Sequence, residues 1–168
     1  MTQYTAAQIN QTLDAMAATL KTLAADHLFI VGIERGGTPL AKALAERLGV
    51  ELGGTLNINF YRDDFGKRAS HPQVGPSNLP GSVDDLTIVI VDDVLHTGRT
   101  IRAALNEIFD FGRPAKVLLA VLASREDGRE LPIQADIAGY TLALAEGQHA
   151  QFDDEQWQLK IVDKLGDS

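Results

Sequence analysis

The stretch that most constrains this chain is "LTIVIVDD", residues 86–93, a β-branched apolar run that ends on two adjacent aspartates. β-branched side chains fit the extended backbone of a strand. A run with no polar alternation leaves no face for water, so the strand must be covered on both sides, as in a parallel sheet. The chain then passes through "VLHTGRT" into a helix predicted over 99–111.

The flanking segments agree with that architecture. From Thr5, an N-cap, Ile9, Leu13, Met16, Leu20 and Leu23 recur at helical spacing and predict an amphipathic helix ending near Asp26. "HLFIVGI" reads as a short buried strand. "GGTPLAKALAERLG" reads as a helix with glycines at its mouth, Pro39 in its first turn and Gly49 at its close. "LGGTLNINFY" is a second strand. Residues 61–82 are punctuated by Gly, Pro and Ser without periodicity, a length typical of a lid or binding loop. Strands at "AKVLLAVLA" and "IQADIAGYTL" and a closing edge strand at "WQLKIVDKL" complete the pattern. Strands alternating with helices predict an α/β fold, a mostly parallel central sheet flanked by helices. With 168 residues and 45% hydrophobic content, one domain over 1–168 is expected, with a mobile loop at about 61–82.

Composition then narrows the chemistry. The absence of cysteine excludes disulfides, thiolate metal sites and thiol nucleophiles. A formal net charge of −8 disfavours non-specific nucleic-acid binding, which needs clustered cations. The N-terminus lacks the basic start and apolar core of a signal peptide, and no segment is long and apolar enough for a membrane span, so a cytoplasmic location is expected.

Two strand-to-helix loops carry the functional signal. In "LHTGRT", the backbone N–H groups, the hydroxyls of Thr97 and Thr100 and the positive end of a helix make a phosphate cradle, with Gly98 allowing close approach. Neither a Gly-x4-Gly-Lys-Ser/Thr loop nor Gly-x-Gly-x-x-Gly is present. Asp92 and Asp93, just upstream, would repel a phosphate but suit vicinal hydroxyls and a hard cation such as Mg²⁺. "ERGG", residues 34–37, adds a glycine-lined turn with one guanidinium for a second anionic group such as pyrophosphate. Phosphate, diol, cation and pyrophosphate together describe phosphoribosyl pyrophosphate, PRPP.

"VIVDDVLHTGRT" resembles the PRPP signature of type I phosphoribosyltransferases. "YRDD", "VDDVLHTGRTIRAAL", "FGRPAKVLLAVL" and "RELPIQADIAG", in that order, resemble the PyrR family of pyrimidine-operon regulators and uracil phosphoribosyltransferases. The resemblance runs from about residue 28 to 165. It implies the reaction of uracil with PRPP to give UMP and pyrophosphate, with Mg²⁺. It further implies that Asp92 and Asp93 hold the ribose hydroxyls and, mostly indirectly, the metal. Thr97, Gly98, Arg99 and Thr100 would form the 5′-phosphate loop, with Val94, Leu95 and His96 also binding PRPP, and Arg35, Gly36 and Gly37 would lie in the pyrophosphate loop. Arg62 would begin, with Asp63, a segment closing over the catalytic site; Arg125 and Arg129 would lie at the base.

The family also suggests a homodimer or higher homo-oligomer and a pyr leader mRNA as partner, against which the acidic charge stands. The chain departs from the family at "GIERGG", where Gly-Ile-basic-Thr-Arg-Gly is common, and at His96, where tyrosine is frequent. Two alternatives stay open: an RNA-binding attenuator responding to UMP or PRPP with weak catalysis, and a phosphoribosyltransferase for another nucleobase.

Overall fold

The computed structural model describes residues 3–23, 28–58, 77–79 and 81–163. In chain order the elements are β1 (Gln3–Tyr4), α1 (Ala6–Leu23), β2 (Leu28–Ile33), α2 (Gly37–Leu48), β3 (Gly54–Leu56), β4 (Thr87–Leu95), α3 (Arg99–Asp110), β5 (Lys116–Arg125), β6 (Ile137–Leu142), β7 (Gln148–Asp153) and β8 (Gln158–Asp163). The expected end of the first helix near Asp26, and most of the expected loop, including Arg62 and Asp63, lie outside the described residues.

Five strands form a parallel sheet in the order β3-β2-β4-β5-β6. The apolar run sits at its centre, as its lack of polar alternation requires. Val89 and Val91 face one core with α1 and α2; Ile88 and Ile90 face a second core with α3. All four are at most 1% exposed, so β4 meets water on neither face.

Helix α1 is started by a reciprocal cap. The backbone N–H of Gln8 donates to Thr5 Oγ1 at 3.3 Å, and that of Thr5 donates to Gln8 Oε1 at 2.8 Å. Thr5→Ala should therefore cost about 1 kcal/mol, a fall in melting temperature of about 2–4 °C for a chain of this size. An unchanged melt would show that tertiary packing alone holds the helix start.

Three expectations need correction. The strand that the apolar run predicts does not end at the two aspartates but continues through them to Leu95, because β5 pairs alongside as far as Leu95↔Ser124. The strand expected from residue 133 begins only at Ile137. Asp136 is instead fixed against β5, its backbone N–H donating to the Leu119 carbonyl and its Oδ2 accepting from the Leu119 N–H. The closing strand is no edge: β8 is the middle of a separate antiparallel sheet, order β1-β8-β7, and buries Leu159 and Ile161 in the α1 core. The expected loop also has a fixed end. Asn78 exchanges both backbone hydrogen bonds with Thr55, and Ser77 Oγ accepts from the Asn57 N–H.

Candidate active site

β2 and β4 are parallel neighbours whose helices leave in opposite senses. β2 feeds α2 and then β3 on one flank of the sheet; β4 feeds α3 and then β5 on the other. The two loops therefore part at the carboxyl ends of the strands and leave a crevice, the usual ligand position in an open α/β sheet. "GIERGG" and "VDDVLHTGRT" form its two sides.

Asp92 is 6% exposed and Asp93 half-buried, both within β4. Alternation along the strand turns them to opposite faces, which keeps two adjacent carboxylates from confronting each other. Asp92 Oδ1 accepts the N–H of Asp93, and Asp93 Oδ1 that of Val94, each at 2.8 Å. Asp93 continues the face of Val89 and Val91 and meets the other loop: a Cβ added at Gly36 would fall on its carboxylate, with Cγ at 2.6 Å. A Cβ at Gly37 would strike the Val91 carbonyl and come within 3.0 Å of Asp92 Cα. The two glycines are thus what lets the loop after β2 lie against the aspartate pair.

On the β4 side, Gly98 takes the left-handed conformation (φ 95°) that glycine adopts without steric cost, and α3 begins at the next residue. Thr97 Oγ1 accepts the Arg99 N–H at 3.1 Å. No acidic residue stands in the first turn of α3 or of α2, so neither helix start is neutralised by a side chain of its own first turn. Arg35 is exposed beside the α2 start, after a cis peptide bond from Glu34. Thr38, in the first turn of α2, has a buried hydroxyl with no hydrogen-bond partner, a polar group available to a ligand.

A third segment, after β5, closes on the β4 side. Arg125, 8% exposed, donates from Nε and Nη2 to Asp127 Oδ1 and Oδ2 at 3.1 and 2.7 Å. That pairing holds the Asp127 carboxyl below the usual range. Glu130 and Leu131 donate their N–H groups to the Thr97 carbonyl, and Arg99 pairs with Glu130 at 2.8 Å. Arg129 is bonded to the His96 carbonyl and to three further oxygens.

The His96 ring packs over Gly128, where a Cβ would lie 2.5 Å from Nε2. Burial, reinforced by the Arg125 charge, lowers its pKa below the ordinary 6.5. Between the unfolded value and this depressed one, the unfolded chain holds a proton that the native chain does not. The stability contributed by neutral His96 is therefore complete above pH 6.5 and lost as pH falls through the folded value. An NMR titration of His96 should give a midpoint below 6.5; one at or above 6.5 would contradict its half-buried placement beside Arg125.

Of the residues expected at the site, Arg35, Gly36 and Gly37 lie where β2 passes into α2, Asp92, Asp93, Val94 and Leu95 end β4, and His96 through Thr100 lead into α3. Arg125 ends β5 and Arg129 stands in the segment that follows it, and Arg62 is outside the described residues. Sequence reasoning missed Gly128, Glu130 and Thr38. Gly128 alone had a signal, a glycine between charged residues where the chain must turn. Among the described residues no three His, Asp or Glu side chains converge as a metal site. The donor set still fits Mg²⁺, which takes one or two carboxylates and draws its other ligands from water and substrate phosphates. No described helix is long and apolar enough to cross a membrane.

A family model described as the phosphoribosyl transferase domain matches residues 3–157. A bifunctional protein PyrR of Nitrosococcus oceani is 51% identical over 140 residues, 80% of this chain and 78% of its own. Its namesake in Pseudomonas aeruginosa is 52% identical over 122 residues, 72% of this chain and 71% of its own. Among solved structures, a purine phosphoribosyltransferase from Pyrococcus horikoshii superposes with a TM-score of 0.64 at 24% identity, covering 83% of this chain and 86% of its own. A hypoxanthine phosphoribosyltransferase from Staphylococcus aureus gives 0.66 at 19% identity, covering 82% and 74%. At these identities the two structures establish the fold.

Proposed function

The chain belongs to the phosphoribosyl transferase domain family and, within it, to the PyrR family, and from that premise we propose that it transfers the phosphoribosyl group of PRPP to uracil, giving UMP and pyrophosphate. The observation that carries this reading is the contact of Asp93 with Gly36, which joins a carboxylate pair to two glycine-lined helix starts around one crevice. Such a site offers a diol acceptor flanked by two anion cradles, the pattern a sugar carrying phosphate at one end and pyrophosphate at the other requires.

In this reading the chain works by positioning and charge neutralisation. Asp92 and Asp93 accept the ribose hydroxyls. The N–H groups of Thr97 to Thr100 hold the 5′-phosphate, with Val94 and Leu95 fixing the strand end that leads to them. Gly36 and Gly37 admit the pyrophosphate to the start of α2, and the Arg35 guanidinium meets the charge that grows on it as the C1–O bond breaks. Uracil nitrogen then bonds to C1, its proton leaving to solvent or to pyrophosphate, so no covalent enzyme intermediate forms. Mg²⁺, when bound with PRPP, supplies further neutralisation of the leaving pyrophosphate, and Asp92 and Asp93 orient it through ribose hydroxyls or water. Arg62 would help exclude water from the cationic carbon, and Arg125 lies toward the base.

The test is UMP formation from PRPP, Mg²⁺ and uracil, with hypoxanthine, guanine and orotate in parallel. Uracil-specific turnover supports the proposal; turnover with a purine alone would reassign the base. The relatives are described as bifunctional, and the family resemblance suggests a second reading in which the chain also binds a pyr leader mRNA as a homodimer or higher homo-oligomer. With a net charge of −8, such binding should be weak and steeply lost with salt.

A further inference from the structure

One side chain bonds the segment after β5 to the phosphate loop and to two further stretches of backbone at once. Arg129 Nε donates to the His96 carbonyl and Nη1 to the Ile133 carbonyl, both at 2.7 Å. Its Nη2 donates to the Arg125 carbonyl at 2.9 Å and to Ser124 Oγ at 3.4 Å. One guanidinium thereby spans the loop entering α3, the end of β5 and the segment leading to β6. Two backbone bonds lie beside it, from the N–H groups of Glu130 and Leu131 to the Thr97 carbonyl at 2.9 and 3.2 Å. A planar fork with donors on three nitrogens can meet carbonyls in three directions at once; a lysine ammonium, a single point on a flexible stem, cannot.

We infer that Arg129 is a positioning residue: acting through the His96 carbonyl, it holds the 96–98 loop in its anion-binding form and ties the base side of the site to the phosphate side, touching neither base nor phosphate itself. The inference rests on the reading that the crevice binds PRPP. Four of the five guanidinium N–H donors are already spent on the protein. A sugar phosphate without a base should therefore feel the loss of Arg129 as strongly as a nucleotide does.

The experiment compares the wild-type chain with Arg129→Ala and Arg129→Lys by calorimetric titration of PRPP with Mg²⁺ and, separately, of UMP. It adds amide hydrogen exchange without ligand and a thermal melt. Arg129→Ala should weaken PRPP and UMP by the same factor, about tenfold or 1.4 kcal/mol, and speed exchange at Glu130 and Leu131 about tenfold. Arg129→Lys should recover little of either. Weakened UMP with unchanged PRPP would make Arg129 a base contact and overturn the inference. So would a lower melting temperature with both affinities intact, or unchanged exchange at Glu130 and Leu131. If the wild-type chain bound neither ligand, the functional reading would fail, while the exchange comparison would still decide whether Arg129 joins the two loops.

Discussion

Asp92→Asn combined with Asp93→Asn should reduce turnover by about a thousandfold or more, with the melting temperature held within about 5 °C. Hydrogen bonds to a charged partner contribute about 1.5–3 kcal/mol each, so losing two charged acceptors for the ribose diol removes about 4 kcal/mol, or about three orders of magnitude in rate. The fold should tolerate the change because asparagine retains the Oδ1 that accepts the N–H of the next residue at both positions. Steady-state kinetics and a melt on one preparation check both halves. Near-normal turnover would end the assignment of the ribose to this pair.

The glycines opposite the pair give the second large effect, and they separate by mechanism. A Cβ at Gly37 meets the Val91 carbonyl and Asp92 Cα, which are backbone atoms and cannot swing aside. Gly37→Ala should then push the first turn of α2 away from β4. Overpacking of this kind costs about 1–3 kcal/mol, which in a chain of this length lowers the melting temperature by about 3–10 °C. At Gly36 the obstacle is the Asp93 carboxylate, a side chain that can rotate away. Gly36→Ala should therefore leave the melt nearly unchanged. Both variants should lose about a hundredfold in activity, the scale of loss when reacting groups are displaced by about 1 Å. Full activity in Gly36→Ala would mean that Asp93 does not work from its observed place.

The central sheet was legible because β4 has no polar alternation and the helices on either side repeat at helical spacing. That the strand runs on past the two acids was not legible, since aspartate is depleted in strands; the ladder to β5 carries the backbone through them regardless. "QHAQFD" was not legible as a strand, having one large apolar residue in six. It is made into a strand by its partner β8, with which it pairs from Gln148↔Asp163 to Asp153↔Gln158. The true place of β8 did have a partial signal: Leu159 and Ile161 flank Lys160 and follow Gln158, the start of the one-sided pattern of an antiparallel strand.

At the site, residue types were readable and contacts were not. The pairing of Asp93 with Gly36 joins loops from different strands and exists only once the sheet order is set. Arg129 is placed at the base by family resemblance alone, and its four acceptors come together around it only in the fold, so the sequence shows none of them.

The most direct test of the account is to map PRPP on the chain by amide NMR, titrating PRPP with Mg²⁺ and then repeating with Asp92→Asn, Asp93→Asn. The wild-type amides of Gly36, Gly37 and Thr97 to Thr100 should shift together with one affinity, and the double variant should lose the effect at concentrations that saturate wild type. Shifts confined to other surfaces, or an undiminished response in the variant, would contradict a PRPP site between the ends of β2 and β4.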